Sequence, residues 1–359
     1  MDDSNIIKPT LIINKERVQN NIKTMAEKAW FSGVRFRPHI KTHQNADIGY
    51  LFREAGIESI TVSSIDMAKY FAGHGWKDIT IAFPVNILQM EDLRNLAGTV
   101  KLGLLVESEN TVRSIGEKLR SKADIWIKVD TGYGRTGIES GQGSRIAEII
   151  FEIKKYTDLE FRGILTHSGH TYHTGSLEDI KQIYNETAEK LQSVRSFLES
   201  NGIENIEISI GDTPSCSIIE EFVGVDEIRP GNFVYYDYMQ LLLGSCREED
   251  IACAAGCPVV AKHEGKNEVI IHGGAIHLSK ETDKNKNGEI SYGAVALPEE
   301  NGWGPIIESA NVSSISQEHG KVKLDQDTFD RIELGDILMI LPIHSCLTAN
   351  LLRDNTVIL

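Results

Sequence analysis

The feature that most limits the fold is a repeated alternation of short apolar runs with longer segments of helical spacing. Runs at 34–40, 59–63, 79–83, 101–106, 125–129, 161–166, 206–210 and 226–229 are short and rich in β-branched residues. Between them lie 45–55, 65–73, 87–96, 109–119, 144–156, 177–199 and 217–222. The longest of these sets Ile183, Ala188, Leu191, Val194 and Leu198 at helical spacing. Parallel strands need a crossover long enough to hold a helix, so this alternation predicts parallel βαβ units. Eight strand runs over roughly 230 residues match an α/β fold of the (β/α)8 TIM barrel type. A doubly wound open sheet is the alternative. Beyond residue 245 the helical periodicity fades. Strand-like runs at 251–261, 268–271, 306–315, 321–324 and 336–340 predict a mostly antiparallel β domain, which 10–13 can join as an extra strand. The polar stretch 280–288 reads as a loop. The expected division is a barrel over 15–244 and a β domain made of 1–14 with 245–359.

Composition excludes several functions. The chain of 359 residues holds 37 Lys and Arg against 52 Asp and Glu, a net charge of −15. Such an acidic chain is a poor partner for nucleic acid or an anionic membrane surface. No apolar run approaches the roughly 18 residues of a membrane span. The start, Met1-Asp2-Asp3-Ser4, lacks the basic and apolar regions of a secretory leader. The five cysteines, Cys216, Cys246, Cys253, Cys257 and Cys346, are odd in number and form no CxxC pair. Free thiols in a reducing cytoplasm are expected.

Barrel enzymes carry their chemistry on the loops that follow the strands. Polar and ionisable residues gather at those positions here. The first run ends in Pro38-His39-Ile40-Lys41-Thr42-His43. Later runs lead into Asp130-Thr131-Gly132-Tyr133-Gly134-Arg135, His167-Ser168-Gly169-His170-Thr171-Tyr172, Gly211-Asp212-Thr213-Pro214-Ser215 and Arg229-Pro230-Gly231-Asn232. A lysine is ordinarily a solvated surface group. At a barrel mouth between two histidines, Lys41 suits a Schiff base instead, since only a neutral amine attacks a carbonyl. Gly211 and Gly231 let backbone approach a ligand closely, and Thr213 and Ser215 supply hydroxyl donors. Ser215 and Cys216 can open a helix, whose N–H groups attract anions. The loops after the seventh and eighth strands are where barrels often hold phosphate. Asp212 counts against that reading by its charge, and tight turns with a helix cap are the bland one. A barrel-mouth lysine beside a phosphate cup points to pyridoxal 5′-phosphate (PLP).

These segments resemble the fold-type III PLP enzymes of the alanine racemase N-terminal-domain superfamily, and within them the D-threonine aldolase and D-serine dehydratase group. Arg37-Pro38-His39-Ile40-Lys41-Thr42-His43 resembles the segment whose lysine carries the cofactor, which implies that role for Lys41. The resemblance of 128–137 implies that Arg135 contacts the cofactor's phenolic oxygen. That of Thr166-His167 implies that His167 packs on the pyridine ring. The segments holding Gly211, Asp212, Thr213, Gly231 and Asn232 resemble the phosphate side. Ser316-Gln317-Glu318-His319-Gly320 resembles an EEHG-like stretch of the β domain. His272-Gly273-Gly274 departs from the group, where an acidic residue precedes the glycine, and nothing in the sequence assigns His272 a contact.

His344-Ser345-Cys346 resembles the His-x-Cys metal pair of the dehydratase branch; the aldolase branch carries His-x-Asp there. As strand neighbours at i and i+2, the two side chains would face one way. Thiolate with imidazole favours Zn2+, with Mn2+ or Mg2+ as alternatives. The resemblance implies a lyase acting on a 3-hydroxy D-amino acid, releasing a 2-oxo acid and ammonia. Lys41 would act as base, with Tyr172 as a further catalytic candidate and the metal on the β-hydroxyl. Aldol cleavage to glycine and an aldehyde, racemisation, and a non-catalytic PLP carrier remain alternatives. The family also implies a homodimer that builds its site from the barrel of one chain and the β domain of the other.

Overall fold

A computed structural model describes residues 6–359; Met1–Asn5, and with them the start read above for a leader, lie outside the described residues. The described chain forms two compact units. One comprises Thr24–Lys41 and Gly49–Gly231; the other comprises the described part of Met1–Lys23 together with Thr42–Ile48 and Asn232–Leu359.

The first unit is the expected barrel. Parallel strands Arg35–Phe36, Glu227–Ile228, Glu207–Ile210, Leu159–Leu165, Ala123–Asp130, Lys101–Val106, Asp78–Pro84 and Ser59–Val62 pair in that order around the sheet. An isolated parallel bridge, His39 to Thr61, joins its two ends. The open doubly wound sheet is thereby set aside. The first strand is far shorter than the run 34–40. Backbone bonding nevertheless continues past it, with Arg37 and His39 N–H donating to the Ile228 and Pro230 carbonyls at 3.0 and 2.9 Å, while Pro38, which has no N–H, accepts from Thr61 N at 2.9 Å. Helices Ile65–Gly73, Glu109–Lys118 and Leu177–Ser200 begin at Ser64, Ser108 and Ser176, each of whose hydroxyls accepts a backbone N–H of the first turn. On the longest helix the buried line is Ile180, Tyr184, Thr187, Leu191, Val194 and Leu198. Ile183 and Ala188, expected on that line, flank it. The stretch 217–222 is not the helix its apolar spacing suggests. The helix is Thr213–Ile218, set by Asp212 at its cap and Pro214 in its first turn.

The second unit is an eight-stranded sheet. Thr10–Ile13 pairs antiparallel with Cys253–His263 and parallel with Thr356–Ile358, its one parallel neighbour. The other strands are Glu268–His272, His319–Lys323, Asn311–Ile315, Ile337–Pro342 and Gly293–Ala296, all antiparallel. The supposed loop 280–288 contains Asp283–Lys284, paired with Ile290–Ser291 as a small hairpin. Among the described residues, no helix is long and apolar enough to cross a membrane.

A chain of buried polar groups ties the barrel strands together. The Glu227 carboxylate is fully buried. It accepts hydrogen bonds from Arg37 Nε at 2.8 Å and Ser209 Oγ at 2.7 Å. Arg37 reaches on to Asp78 at 2.6 Å. Arg229 donates to Ser209 Oγ at 2.7 Å and to the Thr166 carbonyl at 2.5 Å. Removing one member of a buried ion pair leaves its partner's charge uncompensated. Glu227→Ala is therefore expected to cost about 3–5 kcal/mol, read as a lower urea midpoint. Burial alone would raise the Glu227 carboxyl, but Arg37, Ser209 and Arg35 together hold it below its usual 4.5. Its contribution is thus complete above pH 4.5 and is lost as pH falls through the lower folded value. Glu227→Ala should remove that part of the acid sensitivity.

Candidate active site

The barrel strands deliver a cluster of cations to their C-terminal ends. Lys41 follows the bridge at His39 and the fully buried Ile40, and is itself half-buried. Burial, and next the Lys41 charge, press His39 and His167 well below the usual imidazole value, so both rings are neutral. Arg229 and Arg135 also act on His39, and Lys128 and Arg135 on His167. His167 Nδ1 donates to the Gly211 carbonyl at 2.5 Å, which fixes its tautomer. Lys128 is buried and pushed down to about 7, chiefly by burial and then by Arg229 and Arg135. Four cations therefore converge in a chain of net charge −15, an arrangement that suits an anionic ligand.

The glycine-rich loop after Ala123–Asp130 is shaped by one carboxylate. Asp130 Oδ1 accepts the N–H groups of Gly132, Tyr133 and Gly134 at 2.9, 2.9 and 3.2 Å. Gly137 closes the loop at φ +111°, where a Cβ would stand 2.8 Å from Asp130 N. The loop sets Arg135 over the Tyr133 ring at 5.0 Å, and Tyr133 edge-on to His167 at 5.9 Å. Arg135 and His167 are thus brought together through Tyr133, to which the sequence assigned no role.

The expected phosphate cup is partly occupied by the protein. Gly211 carries bare backbone because a Cβ would lie 2.8 Å from the Arg229 carbonyl oxygen. Thr213 N–H, at the start of its helix, donates to the Tyr172 hydroxyl at 3.2 Å. This puts Tyr172 at the cup. Asp212 is buried and caps the helix, accepting from Ser215 N at 2.8 Å and Thr171 Oγ1 at 3.0 Å. Burial chiefly raises its carboxyl to about 6, which lessens its repulsion of an anion. Gly231 is buried at the end of the barrel unit. Asn232 turns elsewhere, donating to Asp237 Oδ2 at 2.5 Å and Ser345 Oγ at 3.0 Å.

That second group contains His344 and Cys346. They do not lie on a strand as the i, i+2 argument assumed. The apolar strand ends at Pro342; His344 caps the helix Ser345–Leu352 and Cys346 lies in its first turn. Cys346 is nevertheless close enough to His344 to favour its charged form. Cys346 Sγ is 3.1 Å from Thr42 Oγ1, and Asn232 Nδ2 is 3.8 Å from the same sulfur. Glu281 Oε2 is 3.2 Å from His344 Nδ1. A carboxylate on one ring nitrogen directs the other toward a ligand, the usual support of a metal-binding histidine. Burial opposes charge on His344, but Cys346, Asp237 and Glu281 hold it up at about 9. One imidazole and one sulfur form a donor set suited to Zn2+, with positions left for water and substrate.

Lys128, Tyr133, Arg229, Asp237 and Glu281 were missed as contributors. Lys128 and Arg229 stand at the ends of strands, and only their convergence in space marks them. Glu281 lies in a stretch whose composition reads as a loop.

Residues 13–239 match the family model for the alanine racemase N-terminal domain, and 252–358 match a putative serine dehydratase domain. A D-serine dehydratase of Dictyostelium discoideum is 30% identical, over 99% of this chain and 94% of its own length. A D-threo-3-hydroxyaspartate dehydratase of Delftia sp. is 27% identical, over 95% of this chain and 91% of its own. The solved structure of that enzyme aligns at a TM-score of 0.87 and 25% identity, covering 96% of this chain and 92% of that one. It has also been solved as a His-to-Ala mutant and as a Cys-to-Ala mutant in the metal-free form, the two positions being two residues apart. With the barrel and the β domain each matched in order, the chain belongs to the alanine racemase N-terminal-domain family of fold-type III PLP enzymes, in the branch that carries a serine dehydratase domain.

Proposed function

We propose that this protein is a PLP- and metal-dependent lyase that dehydrates a 3-hydroxy D-amino acid of the D-serine type. The observation that carries the reading is the contact of Cys346 Sγ with Thr42, the residue bonded to Lys41. It sets a metal-type donor pair next in sequence to the lysine of a cation-rich barrel mouth.

Lys41 would hold PLP by its amine, with Arg135 and His167 toward the ring, and Gly211, Thr213, Gly231 and the helix N–H groups toward the phosphate. Bound PLP supplies an electron sink for the pair of electrons released at Cα. His344 and Cys346 would hold a divalent ion, for which Zn2+ is the best match, as a Lewis acid for the departing β-hydroxyl. The Lys41 amine would take the Cα proton. The Cβ–O bond breaks and hydroxide leaves. One water leaves and one re-enters, so the net products are a 2-oxo acid and ammonia. The Tyr172 hydroxyl at the Thr213 N–H orients the cup and is the further catalytic candidate. The Cys346 contact is made within one chain. A homodimer is the assembly that membership of this family implies. All five cysteines are free, which suits a cytoplasmic enzyme.

Loaded with PLP and Zn2+, the protein should convert D-serine to a 2-oxo acid and ammonia. Glycine and an aldehyde from D-threonine would indicate aldol cleavage, L-alanine from D-alanine would indicate racemisation, and no turnover would indicate a carrier. Glu281→Gln should keep the fold, since the side chain is 43% exposed. It should weaken metal binding about 10–100-fold, because His344 loses the carboxylate that orients it. Chelator competition reads that change directly.

A further inference from the structure

We infer that His272, His277 and Glu318 form a second divalent-metal site within the β domain, separate from His344 and Cys346. His272 ends the strand Glu268–His272, His277 lies on the helix Ala275–Leu278, and Glu318 precedes the strand His319–Lys323. Glu318 Oε2 is 3.6 Å from His272 Nε2 and 3.8 Å from His277 Nε2. One ligand atom from each of the three lies within 4.8 Å of the others, a group that does not include His344, Cys346 or Glu281. Ligands about 2.0–2.1 Å from a tetrahedral ion stand roughly 3.3–3.4 Å apart. Closing on an ion thus asks the Glu318 distances to shrink by only a few tenths of an ångström.

The backbone holds the three together before any ion arrives. Gly273 N donates to the Glu318 carbonyl at 2.9 Å and Ala275 N to the Ser316 carbonyl at 2.7 Å. Gly274 permits this approach, since a Cβ there would stand 2.4 Å from the Gln317 carbonyl oxygen. Among the described residues, both ion-pair contacts of Glu318 are to these two imidazoles, and no lysine or arginine competes. His319 pairs in register with His272. Directly opposite residues of an antiparallel pair share a sheet face, but His319 is not among the three whose ligand atoms converge.

Two imidazoles and a carboxylate suit Zn2+, Co2+ or Ni2+ over Ca2+. His277 Nδ1 now accepts the Gly274 N–H at 3.2 Å. Coordination through Nε2 would move the ring proton to Nδ1 and give up that one weak bond. The two half-exposed side chains leave room for water on the ion. Such a site would lock the turn 316–319 against the strand end and helix that carry the histidines.

Metal counting on the full-length, PLP-loaded protein tests this. After chelator stripping and reloading with Zn2+, the wild type should retain two equivalents. Cys346→Ala should retain one, His277→Gln one, and the double variant none. In the Cys346→Ala background, Glu318→Gln should weaken Zn2+ binding at least tenfold, as should the strand-end variant His272→Asn, with circular dichroism reporting the fold of each. One equivalent in the wild type, lost with Cys346→Ala and untouched by His277→Gln, would overturn the second site while leaving the pair intact. One equivalent lost with His277→Gln and kept in Cys346→Ala would support the second site and remove the metal from His344 and Cys346.

Discussion

The buried Glu227 carboxylate is the constraint on which the barrel mouth depends. Without it, Arg37 and Arg229 would hold two positive charges inside a barrel otherwise filled with side chains such as Ile208, Ile210 and Ile228. With it, an unbroken series runs from Asp78 through Arg37, Glu227 and Ser209 to Arg229, and ends on the Thr166 carbonyl. Four of its members lead into mouth segments. Arg37 precedes Pro38-His39-Ile40-Lys41, Thr166 precedes His167, Ser209 precedes Gly211, and Arg229 precedes Gly231. A fully satisfied polar network fixes geometry more tightly than apolar packing does. Here it fixes the spacing of the segments around Lys41.

Net charge and local charge point in opposite directions. The chain carries −15 overall, yet Lys41 and Arg135 act on both His39 and His167, Arg229 on His39 and Lys128 on His167. His39 and His167 contribute hydrogen bonding and ring surface without adding charge. A local excess of positive charge of this kind suits a small anion.

The sequence makes the barrel legible because eight apolar runs recur with helices between them, and the segments after those runs are the ones that meet. Local chemistry is read less well where one residue overrides a pattern. Asp212 with Pro214 moves a helix start forward from 217 to Thr213. His344 and Cys346 meet through a helix start, although alternation on a strand suggested their meeting. Nothing in the sequence marks Lys128 or Arg229 individually, since burial and mutual repulsion exist only in three dimensions. Glu281 and Glu318 meet their histidines only in the folded chain, and no local spacing connects either carboxylate with its histidine.

The account rests on Lys41 as the residue that carries the cofactor, and Lys128 is its sharpest competitor. Lys128 is buried among the same cations and is pushed to about 7, so it would offer a neutral amine near neutral pH. Borohydride reduction of the PLP-loaded protein, followed by peptide mapping, decides between them. The account predicts one phosphopyridoxyl-modified peptide, centred on Lys41, with Lys128 unmodified. Label on Lys128, or on any other lysine in place of Lys41, would contradict it.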